Sequence, residues 1–350
     1  MALTGAAPPR KAALSAFVAG AGFDPGALAP LAGDASNRRY LRLDGPSGRA
    51  VVMDAPPDRG EDVRPFLAVT AELHRRGLSA PRVLAADPAA GFLLLEDLGD
   101  ALFARCASTA GEARIYGAAV DLAATSLAAP PERIGTGATA MPLPPYDAAT
   151  LTREARLVTD WYVPAATGAP ATPGMAADLD GHLAEALGPA AADRGALVLR
   201  DYHAENLLWL PARAGVGRVG LLDYQDALAG HPAYDLVSLL EDARRDTAPE
   251  LQAAMVQRFL DSRPDLDARA FRAAYAALGA QRNLKIVGIF ARLCLRDGKA
   301  RYLDLVPRVW AHLQRDLAHP DLRGLAAWVR QAVPEPTPAT LSRIAAGAPA

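Results

Sequence analysis

The sequence predicts an α/β fold of the α+β kind, with a small antiparallel-sheet N-lobe followed by a larger helical C-lobe. Two observations lead to this prediction. The first hundred residues hold short apolar strands separated by turn signals, whereas the residues after about 112 show mostly helical periodicity. The chain has 350 residues, enough for about two domains at ~150 residues each. We expect the nucleotide-binding N-lobe at residues 1–98 and the C-lobe, with the acceptor site, at 99–350.

The N-lobe elements can be assigned in order. The chain begins with a predicted amphipathic helix that carries Leu14 and Val18, and we favour it over a secretory signal because Ser15 interrupts the apolar stretch. The further N-lobe elements are strands at Leu41–Leu43 and Ala50–Met53, a helix carrying Phe66, Val69 and Leu73, and strands at Val83–Leu84 and Phe92–Leu95. We interpret the break in pattern at 96–99 as a hinge.

Within the C-lobe, the sequence is mainly helical from about Glu112 onward. Apolar residues recur at helical spacing around Leu251, Ile286 and Leu305. Two short apolar strands are predicted within this region, at Ala196–Leu199 and Val219–Leu222. The order of elements therefore places polar loops at the ends of two strands, where a scaffold can present functional side chains.

Composition excludes several classes of protein. The net charge is −2, so there is no general basic field for nucleic acid. No run of ~18 apolar residues is present, which argues against a membrane span. Two cysteines cannot make a disulfide framework, and their spacing does not suggest zinc. We expect a cytoplasmic protein, monomeric, that binds a small molecule.

Lysine is scarce in this chain. Lys11, Lys285 and Lys299 are the lysines among 37 basic residues, and none lies between positions 11 and 285. Any phosphate site in that stretch must therefore use arginine or backbone N–H groups.

The first chemical signal is the pair Asp201 and Asn206, five residues apart after the strand that ends at Leu199. This is the D-x-x-x-x-N spacing of a kinase catalytic loop, in which the Asp accepts the proton of the attacking hydroxyl and the Asn binds Mg²⁺. Alone the spacing is weak, since Asp and Asn are common in turns. A metallohydrolase could use Asp201 with His203, but no second His/Asp cluster accompanies them.

A second element strengthens the kinase interpretation. Asp223 follows the apolar run 220–222 at another predicted strand end. An Asp/Asn pair followed by a strand ending in Asp is the arrangement that holds Mg²⁺ against ATP phosphates. One carboxylate and one amide suffice because Mg²⁺ prefers oxygen ligands and keeps several waters. The competing interpretation is that Asp223 only caps a turn.

With both elements in this order, the chain resembles the aminoglycoside phosphotransferase family, the small-molecule branch of the protein-kinase-like fold. The resemblance is carried by the stretches 33–39, 92–99, 201–206 and 223–236. More narrowly, the chain is similar to the bacterial anomeric kinases of N-acetylmuramate and N-acetylglucosamine. That likeness is carried by the stretches 33–43, 51–57, 92–99, 223–246 and 282–293.

The resemblance implies a role for each matching residue. Asp201 would be the base or the group that orients the hydroxyl, with Asn206 and Asp223 as metal ligands. Asp235 resembles the aspartate that supports the catalytic loop from behind, although an ordinary helix N-cap is the competing interpretation. The residues implied for ATP are Asp34, Ser36, Asn37 and Arg38 over the phosphates, Met53 on the third strand, and Glu96 and Leu98 at the hinge.

Met53 marks a departure from the family pattern. Kinases of this fold usually carry a lysine on the third strand, and Met53 takes its position in this chain. Arg38, Arg39 or Arg49 could neutralise the phosphates instead. Arg38 and Arg39 are adjacent in a strand and should point to opposite faces, so we predict that Arg38 contacts phosphate and that Arg39 is solvated or pairs with a carboxylate.

The sequence says less about the identity of the acceptor than about the nucleotide. The resemblance implies phosphorylation of the anomeric hydroxyl of an amino sugar, giving a sugar 1-phosphate for peptidoglycan recycling, with Glu154, His203 and Arg282 as candidate sugar contacts. The alternative is a solvated helix face for Glu154 and for Arg282, and a role in fixing the loop for His203. Another acceptor, such as an aminoglycoside, homoserine or a choline-like alcohol, stays open. So does a non-catalytic nucleotide- or sugar-binding protein, which Met53 motivates.

Overall fold

The computed structural model describes residues 10–31, 37–45 and 48–349, without the side chains of residues 109 and 110. The strands β1 to β11 are Ala29–Pro30, Arg39–Gly45, Gly48–Asp54, Val83–Asp87, Phe92–Glu96, Arg133–Ile134, Met141–Pro142, Ala196–Val198, Leu207–Trp209, Val219–Leu221 and Leu228–Gly230. The helices α1 to α13 are Arg10–Gly20, Arg64–Arg75, Phe103–Ala110, Glu112–Ser126, Ala148–Ala155, Val163–Thr167, Pro173–Leu187, Ala233–Leu240, Pro249–Asp261, Ala268–Asp297, Val306–Leu317, Arg323–Ala332 and Pro338–Ala346.

The chain forms two compact units, each assembled from separate segments. The first unit contains the described residues of Met1–Leu102, Glu132–Pro142 and Leu207–Asp226. The second contains those of Phe103–Pro131, Leu143–Asn206 and Ala227–Ala350. The division into functional lobes at residues 98 and 99 stays a prediction.

The first unit is built on an antiparallel sheet in the order β1-β2-β3-β5-β4. Its middle strand β3 places Met53 between Tyr40 of β2 and Leu93 of β5. Helix α1 covers one face of the sheet, since Leu14 and Val18, four residues apart, are buried in the same apolar cluster as strand residues of β3 and β5. The predicted amphipathic helix is thus accounted for by core packing.

A buried carboxylate ties α1 to this sheet. Asp54, at the end of β3, is fully buried. Arg10 of α1 donates to one of its oxygens at 2.7 Å, and Arg39 of β2 donates to the other. The Arg10 guanidinium also lies 4.5 Å from the centre of the Phe92 ring. Because a buried charge must be paired, both arginines hold this corner of the unit together.

The second unit is organised around the 30-residue helix α10. Gly288 of α10 packs against the backbone at Leu157, so closely that a Cβ there would lie 2.2 Å from the Leu157 carbonyl carbon. Only glycine permits this approach of helix to backbone. Directly after the contact, the chain forms a single π-helical turn at Val158–Tyr162.

Most of the predicted elements are present. The strands and helices predicted in the first hundred residues all occur, and β8 and β10 match the two strands predicted later. The helical sequence begins earlier than the predicted Glu112, because α3 begins at Phe103 and α4 at Glu112. The short strands β9 and β11 were not predicted. In the described part of the chain, no helix is both long and apolar enough to cross a bilayer.

Candidate active site

The loop Leu199–Asn206, here called the Asp201 loop, follows the buried strand β8 and is supported from behind by Asp235. The two carboxylate oxygens of Asp235 accept the backbone N–H groups of Leu199 at 2.7 Å and Arg200 at 2.9 Å. Arg200 has a φ of 70°, which is uncommon for a residue with a side chain and is found mainly where the surroundings enforce it. Pro232, not Asp235, is the N-cap of α8, so the N-cap interpretation is wrong.

A second support comes from α8 and α10. Ser238 donates to the carbonyl oxygen of Arg200 at 3.0 Å, and Arg282 donates to the Ser238 hydroxyl at 2.9 Å. Arg282 is buried. The predicted sugar contact Arg282 therefore lies behind the Asp201 loop, and contact with sugar stays a prediction.

Asp201 is half-buried and surrounded by cations of its own unit. Burial alone would raise its pKa, but the charges of Lys285, Arg200 and Arg282 outweigh burial and lower the pKa of Asp201. Asp201 is therefore a carboxylate at neutral pH. This favours a group that orients and polarises a hydroxyl over a strong base.

Asn206 closes the Asp201 loop. Its side-chain Nδ2 donates to the carbonyl oxygen of Asp201 at 3.0 Å, while its backbone N–H donates to the carbonyl of His203 at 2.9 Å. Since the amide nitrogen is committed to the loop, the amide presents its oxygen for other contacts, and oxygen is the donor that Mg²⁺ prefers.

His203 is buried within the same loop. Burial lowers the pKa of His203, although Asp242 acts in the opposite direction, so the imidazole is neutral at pH 7. Asp242 also accepts the backbone N–H of Ala204 at 3.2 Å. These contacts give His203 a place in the loop, and its contact with sugar stays a prediction.

Glu154 of α5 is the centre of a network beside the Asp201 loop. Its carboxylate accepts from Arg200, from the Tyr146 hydroxyl, and from Lys285 at 2.9 Å. The side chain of Glu154 is only 12% exposed, so the solvated helix face is wrong. Although burial acts to raise the pKa of Glu154, Lys285 and Arg200 outweigh it and lower the pKa. The network fixes the side chain of the residue preceding Asp201.

In the first unit, Asp223 follows β10 with a φ of 55°, so that it has, like Arg200, a left-handed backbone that is uncommon for a residue with a side chain. Its Oδ1 accepts from the Gln225 amide at 2.8 Å. The next residue, Tyr224, is fully buried, stacks on Phe66 at 5.0 Å and bonds to the Thr70 hydroxyl at 2.8 Å. The anchored tyrosine fixes the backbone that presents the Asp223 carboxylate.

The predicted phosphate loop is described only in part, because Asp34 and Ser36 lie outside the described residues. Arg38 donates to Glu61 at 2.7 Å, and the backbone N–H of Asn37 donates to the same carboxylate at 3.2 Å. Burial would lower the pKa of Arg38, but Glu61, Tyr40 and Asp226 outweigh it and raise the pKa. Asp226 ends the segment that begins at Asp223, so a charge of that segment also favours the Arg38 cation. Arg39 pairs with Asp54, as alternation along the strand requires.

The remaining predicted nucleotide contacts lie on or after β5 and β3. Met53 is buried in the sheet. The backbone N–H of Glu96 donates to the carbonyl oxygen of Arg82 at 2.8 Å. The carboxylate of Glu96 forms ion pairs with Arg82 and Arg213. By contrast, neither backbone group of Leu98 has a hydrogen bond to any described residue. Leu98 can therefore offer the backbone contacts expected of a hinge, and the N–H of Glu96 cannot.

The comparison that decides the family covers most of the chain. The model of the phosphotransferase enzyme family matches residues 27–275, a range that contains both the Asp201 loop and Asp223. The chain belongs to this family. The prediction of an enzyme that transfers phosphoryl groups is therefore confirmed.

Curated relatives of this phosphotransferase share one name. An N-acetylmuramate/N-acetylglucosamine kinase of Caulobacter vibrioides is 41% identical, and the alignment covers 94% of this chain and 98% of that protein. Proteins of the same name from Pseudomonas aeruginosa and Neisseria meningitidis are each 35% identical to this chain. The alignment with the Pseudomonas protein covers 86% of this chain and 87% of that protein. The alignment with the Neisseria protein covers 81% of this chain and 84% of that protein. The predicted resemblance to this group of kinases is confirmed.

Solved structures show the fold of this phosphotransferase. A choline/ethanolamine kinase family protein from Mesorhizobium loti matches with a TM-score of 0.58 at 17% identity, covering 92% of this chain and 98% of that one. An aminoglycoside phosphotransferase in complex with GDP and kanamycin matches with a TM-score of 0.55 at 13% identity, over 84% and 93% of the two chains. The predicted protein-kinase-like α+β fold is confirmed.

Within each unit of this phosphotransferase, sequence reasoning missed residues that hold the predicted site residues in place. Arg200, Lys285 and Ser238 contact the Asp201 loop or Glu154, and Glu61 holds Arg38. The isolation of Lys285, in a chain with three lysines, was a usable signal. Nothing in the local sequence indicated Glu61 or Ser238.

Proposed function

We propose that the protein is an ATP-dependent kinase that phosphorylates the anomeric hydroxyl of N-acetylmuramate, N-acetylglucosamine or both. The observation that carries the proposal is the 41% identity to a kinase of that name over nearly the full length of both chains. The product would be a sugar 1-phosphate, the form that a nucleotidyltransferase needs to make a nucleotide sugar during peptidoglycan recycling.

In this proposal Asp201 is the catalytic residue. The cations around Asp201 keep it ionised, so it can accept a hydrogen bond from the acceptor hydroxyl and align the oxygen for attack. An anomeric hydroxyl is more acidic than an ordinary alcohol, so a carboxylate with a lowered pKa can suffice. The supports from Asp235 and Ser238 hold the loop in its conformation before substrate binds, which favours preorganisation.

Asn206 and Asp223 fit the chemistry of magnesium ligands. Asn206 offers its amide oxygen, because its amide nitrogen donates to the Asp201 carbonyl, and Asp223 offers a carboxylate. When bound, Mg²⁺ would neutralise charge on the transferring phosphoryl group. Among the residues that the structure describes, no group of three or more His, Cys, Asp or Glu side chains could hold a metal ion, whereas the proposed Mg²⁺ site uses one carboxylate and one amide.

Arg38 is the proposed substitute for the third-strand lysine. Its pairing with Glu61 resembles in chemistry the lysine–glutamate pair of kinases, with a cation held in place by a carboxylate. Met53 then needs only to pack in the sheet, and Leu98 supplies backbone contacts to adenine. The retained Asp201, Asn206 and Asp223 argue against a non-catalytic binding protein.

The proposal is tested by release of ADP from ATP with a panel of acceptors. N-acetylmuramate and N-acetylglucosamine should be turned over, whereas their 1-O-methyl glycosides, which lack the anomeric hydroxyl, should not. If kanamycin, homoserine or choline is turned over and neither amino sugar is, the proposed acceptor is wrong and the kinase activity stands. Absence of ADP release with every hydroxyl acceptor would overturn the proposal.

A further inference from the structure

One side of helix α10 is a strip of partly exposed residues that starts beside the Asp201 loop. In the described stretch 281–291 every residue is buried except Lys285 and Ile289, and Arg292 continues the strip. Their spacing of four and then three residues places the three side chains on one face of the helix. Here the strip is called the α10 face.

The first residue of the α10 face, Lys285, marks the acceptor end. It shares the Glu154 carboxylate with Arg200, the residue before Asp201, and its charge is the largest of the cationic influences on the pKa of Asp201. Lys285 is already neutralised, because it donates to Glu154 at 2.9 Å and lies 3.4 Å from the Tyr234 hydroxyl. Its charge is therefore committed within the protein.

Arg292 is different, because its charge is not compensated. The guanidinium makes no hydrogen bond or ion pair with any residue that the structure describes, and its Nε is buried. Asp297, the acid whose charge acts on Arg292, is paired with Arg296, which donates to its carboxylate at 2.6 and 2.9 Å. Burial and the Arg296 charge lower the pKa of Arg292, as expected for a cation that lacks an anion. An unpaired, partly buried guanidinium is costly unless a ligand pairs with it.

The position of Arg292 suits the far end of a sugar. Seven residues separate it from Lys285, which is about 10 Å along the helix axis. An acceptor whose anomeric hydroxyl meets Asp201 could lie along this face with a substituent near Arg292.

The two sugars of the proposed function differ at such a substituent. N-acetylmuramate is N-acetylglucosamine with a lactyl ether on the 3-oxygen, and that ether carries a carboxylate. We infer that Arg292 is the specificity residue that binds the carboxylate of a carboxylated acceptor sugar, with Ile289 packing against the apolar part of the substituent. This inference rests on the proposed function and names the group that separates its two substrates.

The test compares both sugars with wild type, Arg292→Gln, Arg292→Lys and the control Arg296→Gln. Arg292→Gln should lower kcat/KM for N-acetylmuramate about ten- to a hundredfold, the range for loss of one charge-assisted hydrogen bond, and leave N-acetylglucosamine unchanged. Arg292→Lys should recover part of the loss because it keeps the charge. Arg296→Gln, one turn further along α10 and exposed, should leave both sugars unchanged.

The outcomes separate this inference from the proposed function. An equal loss for both sugars, no loss for either, or a wild-type enzyme that accepts only N-acetylglucosamine would overturn the inference and leave a sugar kinase. A wild-type protein that phosphorylates neither sugar would overturn both. If Arg292→Gln does not fold, as judged by its Tm, Arg292→Lys is compared on the two sugars. A selective rise in KM for N-acetylmuramate supports the inference, and an equal effect on both sugars overturns it.

Discussion

The carboxylate of Asp235 accepts the backbone N–H of Arg200 at 2.9 Å, directly behind the residue that precedes Asp201. Arg200 has a left-handed backbone, and its carbonyl is held at the same time by Ser238. The conformation that directs Asp201 is therefore maintained by hydrogen bonds from α8 in addition to those within the loop. Since a strained loop needs such support, changes in α8 should affect catalysis at a distance.

This relationship predicts a pH dependence of stability. Burial raises the pKa of Asp235 to about 7, although the N–H groups of Leu199 and Arg200 act to lower it. A carboxyl whose pKa is raised on folding favours the folded state below its ordinary pKa of ~3.9, and the contribution is lost as the pH rises through 7. In Asp235→Asn, the free energy of unfolding should fall less between pH 4 and 7 than in wild type.

Urea unfolding across that pH range is the measurement for Asp235. The exposed Asp58 offers a control, because Asp58→Asn should follow the wild-type curve. Parallel curves for Asp235→Asn and wild type would show that Asp235 does not titrate on folding in this range.

The second prediction concerns Asp201. Asp201→Asn preserves shape and removes the negative charge, so ATP and sugar should still bind while kcat falls about 10²- to 10⁴-fold, the usual value of general-base assistance. Steady-state ADP release gives kcat, and calorimetry gives the affinities. The matched control is Glu205→Gln, at an exposed position of the same loop. A kcat within a few fold of wild type for Asp201→Asn would contradict the catalytic role.

The third prediction concerns the metal. Asp223→Ala should abolish turnover while Tm changes little, since the neighbouring Tyr224 anchors the segment independently. Asn206→Ala should raise the Mg²⁺ concentration needed for half-maximal rate, because one oxygen ligand is lost. Titration of activity with Mg²⁺ is the measurement. Full activity in Asp223→Ala, or an unchanged Mg²⁺ requirement in Asn206→Ala, would argue against the ligand assignment.

The fourth prediction separates structure from sugar binding at Glu154. Removing its charge leaves Arg200 and Lys285 without their shared anion, so Glu154→Gln should lower the free energy of unfolding by about 1–3 kcal/mol. If Glu154 also contacts the sugar, KM for the sugar should rise more than KM for ATP. Chemical denaturation and initial rates measure the two effects. Unchanged stability would contradict the network.

The fold and the loop residues could be predicted from sequence, whereas the contacts that fix them could not. Strand alternation and the Asp201–Asn206 spacing are local, and a local pattern survives in one sequence. Glu154 and Lys285 are 131 positions apart, and Arg38 and Glu61 are 23 apart. Such pairs arise only when tertiary packing brings two elements together. Glu154 therefore resembled an ordinary solvated helix residue until α10 was placed beside it.

The last prediction concerns the cation that replaces the third-strand lysine. Arg38, held by Glu61 and influenced by Asp226, is the proposed phosphate contact, whereas the partner of Arg39 is the buried Asp54. Arg38→Ala should lower kcat/KM for ATP about ten- to a hundredfold, as expected for one charge-assisted contact to phosphate. Arg39→Ala is the matched control and should change ATP use little, because Arg10 still pairs with Asp54. Initial rates over a range of ATP concentrations give kcat/KM for ATP in both variants and in wild type. Equal tolerance of both substitutions in an active enzyme would mean that backbone N–H groups and Mg²⁺ suffice for the phosphates.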